Sequence, residues 1–261
     1  MYLGNSVHAL IAKCVGATTF FLPEKRRRDI DIRIMEILDQ RLVFRGKTGA
    51  YYHVHNQRLL KRALEGKPRQ ISWIDGFPAG STFWDVGSNV GVYSMYAAMR
   101  GLNVVAIEPE TRSFDLLQRN AQLNRLSSLV TALNVALYET TGLVPLRIAH
   151  EGAGMPHHQI DVTSGADRKI MAFTASDLCQ IMKVPPPNYV KIDVDGSELQ
   201  VIRGLDLTSS ALRGVLCEFR DNGDAVEIFS LFDRHGFRGD GTIDDVRKNG
   251  NTATYVLFSR A

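Results

Sequence analysis

The residues best placed for chemistry in this 261-residue chain are acids that close short apolar runs. Thr82-Phe83-Trp84-Asp85-Val86 leads into Gly87-Ser88-Asn89-Val90-Gly91, a glycine-rich turn with an acid two residues before its first glycine. Glycine lets the backbone turn sharply and approach a ligand closely. A helix opening at such a turn aims free N–H groups and its positive dipole end at that ligand. Dinucleotide sites use Gly-x-Gly-x-x-Gly to admit a pyrophosphate. The Gly-x-x-x-Gly spacing here suits a ligand bearing an amino-acid carboxylate and ammonium, with Asp85 serving the ammonium directly or through water. Glu108 closes the next apolar run, 23 residues after Asp85. A carboxylate at that point can accept both hydrogen bonds of a ribose diol. The candidate cofactor-binding set is Asp85, Gly87, Ser88, Asn89, Gly91, Glu108, Pro109, Asn134 and Asp193.

A second block, Lys191-Ile192-Asp193-Val194-Asp195-Gly196-Ser197-Glu198, places Lys191, Asp193 and Asp195 in alternation. On one strand that alternation points all three to the same face, with Ile192 and Val194 in the core. Glu198 then opens a helix, where an acid complements the dipole. Glu218 ends the next apolar run, Val215-Leu216-Cys217-Glu218-Phe219, with Arg220 and Asp221 beside it as candidate substrate contacts.

These acids need a sheet to hold them. From residue 80 the pattern alternates strand and helix: strands over 82–86, 103–107, 130–136, 189–194, 215–219 and 254–258, and helices over 90–99, 113–124, 177–182, 198–203 and 225–235. Residues 143–148 read as an added strand, and 254–258 pairs with the segment around Phe237. Such alternation implies a mostly parallel sheet covered on both faces. Open sheets of this kind bind ligands at the carboxyl ends of their strands, where the strand order reverses.

The residues 85–91, Glu108-Pro109 and 191–198 resemble the FkbM-type family of S-adenosylmethionine-dependent methyltransferases. The block at Lys191 is similar to that family's Lys-Ile-Asp-Val-Glu-Gly-x-Glu, with Asp195 in place of the usual Glu. The likeness covers roughly residues 80–220. It implies an α/β, Rossmann-like class I methyltransferase fold with seven strands. It also implies O-methylation of a hydroxyl on a sugar, glycan or secondary metabolite, with S-adenosyl-L-methionine as cofactor. A hydroxyl has a high pKa, so a general base assists its attack. Asp193, Glu218 and Asp195 are the candidate catalytic residues, with Glu218 first as base. Two rivals share the fold class: a nicotinamide-dependent oxidoreductase, disfavoured by the missing central glycine, and a non-catalytic cofactor-binding scaffold.

Residues 76–261 form the expected methyltransferase domain, and residues 1–75 a mainly helical extension. Ile30, Ile34, Ile37, Leu38 and Leu42 keep a helical stripe, and residues 59–65 form another short helix. Val7, Leu10, Ile11, Cys14, Val15, Thr18, Phe21 and Leu22 keep a second stripe, followed by the basic run Lys25–Arg28. That stripe docks on the core, docks on a second subunit, or lies on an anionic membrane surface. Lys and Arg total 31 against 28 Asp and Glu, and are mostly dispersed, which argues against a nucleic-acid partner. Three scattered cysteines imply neither a disulfide framework nor a zinc site, and the default compartment is the cytoplasm. His53 with His55 and His157 with His158 lack a spacing-matched third ligand, so no metal is expected.

Overall fold

A computed structural model of the chain describes residues 43–45, 49–53, 68–148, 158–160, 168–219, 223–248 and 254–260. The first elements are a small antiparallel pair, β1 (Val43–Arg45) and β2 (Tyr51–His53), followed by helix α1 (Pro68–Asp75). Then come β3 (Thr82–Val86), α2 (Val92–Met99), β4 (Asn103–Ile107), α3 (Thr111–Leu123) and β5 (Val130–Leu133). An insertion of β6 (Ala136–Leu137), β7 (Gly142–Ile148), β8 (His158–Ile160) and β9 (Arg168–Phe173) leads to α4 (Ala175–Ile181). The second half is β10 (Tyr189–Ile192), α5 (Glu198–Arg203), β11 (Gly214–Phe219), α6 (Ala225–Arg234), β12 (Phe237–Gly239), α7 (Ile243–Lys248) and β13 (Thr254–Arg260).

The main sheet has seven strands in the order β5-β4-β3-β10-β11-β13-β12. All of its pairings are parallel except the two that β13 makes with β11 and β12. The chain winds outward from β3 through β4 to β5, then returns to lay β10 on the other side of β3. The strand order therefore reverses between β3 and β10, the place where open α/β sheets bind ligands. This is the Rossmann-like class I methyltransferase architecture.

Period-two side-chain alternation divides the core. Trp84, Val86, Val105, Ile107, Val190, Ile192, Val215, Cys217, Val256 and Phe258 face one way into one cluster. Phe83, Val104 and Ala106 face the other way into a second cluster with Met95, Ala98, Leu116 and Leu117. Fully buried apolar strands on both faces are what a parallel sheet between helices requires.

Several boundaries differ from the sequence expectation. The run over 130–136 is not one strand. It breaks at Asn134 and Val135, and β6 leaves the main sheet to join a separate four-stranded sheet, β6-β9-β7-β8. The strand expected to reach Val194 ends at Ile192, so Asp195 lies in a turn and the alternation reaches only Asp193. The helix expected from Val90 begins at Val92, because Asn89 and Gly91 both have positive φ.

Two elements of the expected extension belong to the core. Ala50 and Tyr52 are buried in the second cluster, and the Tyr52 hydroxyl donates to the carbonyl of Val92. Helix α1 sets Trp73 edge-on against Phe83 and Tyr189, and Phe77 stacks on Tyr189 at 3.7 Å. Both stripes of residues 7–42, the basic run and the helix expected over 59–65 lie outside the described residues. Among the described residues no helix is long and apolar enough to cross a membrane.

Gly204, closing α5, joins the inserted sheet to the core. A Cβ there would overlap the carbonyl oxygen of Tyr138, and the Gly204 carbonyl accepts from the amide of Ala175 at 2.8 Å. Forcing an extra carbon into packed backbone costs about 1–3 kcal/mol. Gly204→Ala should therefore lower the melting temperature by roughly 2–12 °C at about 2–4 °C per kcal/mol. Circular dichroism melts that leave it unchanged would show that the insertion can move away freely.

Candidate functional site

The glycine-rich turn after β3 is pinned from three sides. The amides of Gly87 and Ser88 both donate to the carbonyl of Ile107, at 3.0 and 3.1 Å, tying the turn to β4. Asn120 on α3 donates from its side chain to the carbonyl of Val90 at 2.9 Å. Gly87, at φ 73°, lies so close to the chain after β10 that a Cβ would overlap the Asp193 carbonyl. Only glycine meets both demands.

Glu108 holds the turn from the end of β4. One carboxylate oxygen accepts the Asn89 amide at 2.7 Å and the other the Glu110 amide at 2.9 Å. The side chain is 4 % exposed, and burial pushes its pKa up to about 7 against the opposing pull of those two N–H groups. Asn134 donates its amide to the carbonyls of Glu108 (2.9 Å) and Pro109 (3.0 Å), so it fixes that corner from β5. Glu110, which the sequence reading passed over, caps α3 by accepting from Arg112 and Ser113. Ser88 Oγ and Asn89 Oδ1 are buried in the turn with no hydrogen-bond partner among the described residues. Native folds pair such atoms. A hydroxyl and an amide oxygen left open beside a glycine cradle fit the polar amino-acid end and ribose of S-adenosylmethionine.

Asp85 has a different place from the one expected. It is 0 % exposed, and its oxygens accept from Ser94 Oγ at 2.7 Å and from Lys191 Nζ at 3.2 Å. Its carboxylate therefore braces β3 against α2 and β10 rather than facing the cofactor's ammonium. Lys191 is 2 % exposed and also meets Asp193 at 3.1 Å, with the Tyr93 ring centroid 5.1 Å away. Burial disfavours its charge, but Asp193 and Asp85 outweigh that and raise its pKa, so it stays a cation.

Beyond Asp193 the loop turns back on itself. Glu198 is buried and accepts the Gly196 amide at 3.1 Å. Burial, with Asp195 and Asp193 nearby, pushes its pKa up to about 8. Folded Glu108 and Glu198 thus hold their protons more tightly than the unfolded chain does. Their contribution to stability is full below about pH 4.5 and is lost as pH rises through about 7 and 8.

Glu218 is buried opposite Tyr255 in the antiparallel β11–β13 pairing, and the Tyr255 phenol donates to it. Burial, then the charges of Asp193 and Glu218, raise the phenol's pKa, so Tyr255 remains a neutral donor. The structure therefore gathers Asp85, Gly87, Lys191, Asp193, Glu218 and Tyr255 at one edge of the sheet. Tyr93, Ser94 and Tyr255 carried no sequence signal, because their partners are set by strand order alone. Arg220, Asp221, His55 and His157 lie outside the described residues. Among the described residues no group of three or more His, Cys, Asp or Glu side chains could hold a metal ion.

The methyltransferase FkbM domain matches residues 85–238, which is more than half of the sequence and includes both acidic blocks. The chain belongs to the FkbM methyltransferase family. As a member it uses S-adenosylmethionine, in agreement with the open Ser88 and Asn89 groups. Among relatives, it is 29 % identical over 148 residues to the hexuronic acid methyltransferase AglP of Haloferax volcanii, covering 57 % of this chain and 59 % of AglP. It is 25 % identical over 189 residues to the 31-O-demethyl-FK506 methyltransferase FkbM of Streptomyces tacrolimicus, covering 60 % and 73 %. The chain spans less than two thirds of AglP. The solved structure of P. horikoshii TYW2 in complex with MeSAdo aligns over 83 % of this chain and 69 % of its own, at 12 % identity and TM-score 0.47.

If Glu108 binds the ribose as a carboxylate, the free family member must first lose a proton whose pKa is about 7. Affinity for S-adenosylhomocysteine should then rise with pH, and be roughly tenfold weaker at pH 6 than at pH 8. Glu108→Gln should remove this pH dependence. Calorimetry giving a flat wild-type profile across that range would reject the role.

Proposed function

We propose that this FkbM-family chain catalyses O-methylation of a hydroxyl on a sugar, glycan or secondary metabolite. The observation that carries the reading is the pair of buried Glu218 and half-buried Tyr255 set beside Asp193, next to the glycine-rich turn. Relatives named for a hexuronic acid and for 31-O-demethyl-FK506 support an oxygen acceptor. S-adenosylmethionine supplies a methyl group on a positive sulfonium.

The protein's part is to align the acceptor oxygen with that methyl and take its proton. Holding two reacting atoms close and in line contributes much of the acceleration in such a transfer. Glu218 is the group that accepts the hydroxyl proton as the O–CH3 bond forms. Tyr255 donates to Glu218, which fixes the carboxylate's rotamer. Asp193, held by Lys191, orients the acceptor hydroxyl. Gly87, Ser88, Asn89, Gly91, Glu108 and Pro109 line the cofactor cleft, while Asp85 and Asn134 keep that cleft in shape. Asp195, in the turn after Asp193, borders the acceptor side.

Removing a general base costs about 10²–10⁴-fold in rate. Glu218→Gln should lose turnover to that extent and keep wild-type affinity for S-adenosylhomocysteine. The assay follows labelled methyl transfer to a panel of hexoses, hexuronic acids and polyketide alcohols. Retained cofactor binding with no transfer by wild type to any member would favour the non-catalytic scaffold. Full turnover by Glu218→Gln would move the base elsewhere.

A further inference from the structure

Helix α1 carries a buried polar side chain that none of these roles uses. Gln70 is 1 % exposed, and neither its amide nitrogen nor its amide oxygen has a hydrogen-bond partner among the described residues. Buried amides are paired in the great majority of cases, and leaving both ends open is costly. The site around Gln70 indicates what the amide awaits.

Arg69, its neighbour, donates to the Tyr255 carbonyl at 2.6 Å and grips both oxygens of Asp240 at 2.7 and 2.6 Å. The first turn of α1 is thereby fixed at the start of β13, the end that carries Tyr255 opposite Glu218. One turn on, Trp73 packs against Tyr189 and comes within 3.6 Å of where a Cβ on Gly214 would stand. Tyr189, Lys191, Gly214, Glu218 and Tyr255 occupy alternate positions on their strands and so share one sheet face. Helix α1 lies on that face. Gln70 and Ile74, four residues apart and both buried, form the stripe of α1 turned towards it.

We propose that Gln70 is an acceptor-binding residue, working beside the Glu218–Tyr255 pair, and that the acceptor is hydroxyl-rich at the atoms flanking the methylated oxygen. A carboxamide presents a donor and an acceptor together, which matches adjacent hydroxyls that also offer both. A purely apolar surround for the reacting hydroxyl would leave the amide unpaired in the complex as well. A sugar ring meets the requirement; an isolated alcohol on a hydrocarbon frame does not. The inference rests on the methyltransferase reading and narrows its substrate class.

The experiment uses the full chain, wild type and Gln70→Leu, a change that keeps side-chain bulk and removes the amide. Replacing an unpaired buried amide by an apolar group should raise the melting temperature of the free protein, by about 2–4 °C. S-adenosylhomocysteine should raise both melting temperatures equally. Added hexoses, hexuronic acids or inositol at millimolar concentration should raise wild type further and leave Gln70→Leu unmoved. A lower melting temperature for free Gln70→Leu would mean the amide has a structural partner, and overturns the proposal. So does a sugar shift equal in both proteins, or absent from both while the S-adenosylhomocysteine shift persists. A wild type indifferent to S-adenosylhomocysteine fails earlier and separately, overturning the cofactor reading and with it this subsite.

Discussion

One buried cation sets the geometry on which the rest of the site depends. Lys191 sits between Asp85 at the end of β3 and Asp193 just past the end of β10, at 3.2 and 3.1 Å. Asp85 in turn receives the Ser94 hydroxyl from α2. Two stretches 106 residues apart in sequence are thus joined by one ammonium, with α2 held to the same carboxylate through Ser94. Such a group in a dry interior needs its partners: removing one member of a buried pair commonly costs about 3–5 kcal/mol, because the other charge is left uncompensated. Asp193 is also the residue whose carbonyl abuts Gly87. The glycine-rich turn after β3 and the loop after β10 are therefore parts of one assembly, and neither can shift alone.

The surplus of negative charge in this assembly is handled by protonation as well as pairing. Asp85 and Asp193 share Lys191, whereas Glu108 and Glu198 have backbone amides as their recorded partners, and burial raises both pKa values into the neutral range. A carboxyl poised there can change its charge when a ligand arrives without a large energetic demand.

Much of the fold was legible because parallel strands between helices leave a strong mark: continuous apolar runs, three of which end at Gly87, Glu108 and Asp193. The turn at 85–91 and Glu108 were found that way, as was Glu218. The sequence misled where local pattern met tertiary constraint. Asp85 was read as a ligand group because it precedes a glycine turn. Its actual partner, Lys191, is 106 residues away, and its pairing depends on β10 lying next to β3. Asp195 followed an alternation that the chain abandons at Asp193. Tyr255 and Gln70 had no local pattern at all. Their meaning comes from the one reversed strand, which starts where its neighbours end, and from a helix taken for part of a separate extension.

The break between β5 and β6 has a mechanical side. Only Asn134 and Val135 separate the third strand of the main sheet from the first strand of the smaller one. Asn134 holds the Glu108 and Pro109 carbonyls in the same two-residue joint. The inserted sheet is thus tied to the core at two places, this joint beside Glu108 and the close contact of Tyr138 with Gly204 at the end of α5. A displacement of that sheet would therefore strain the Glu108 corner and the end of α5 together.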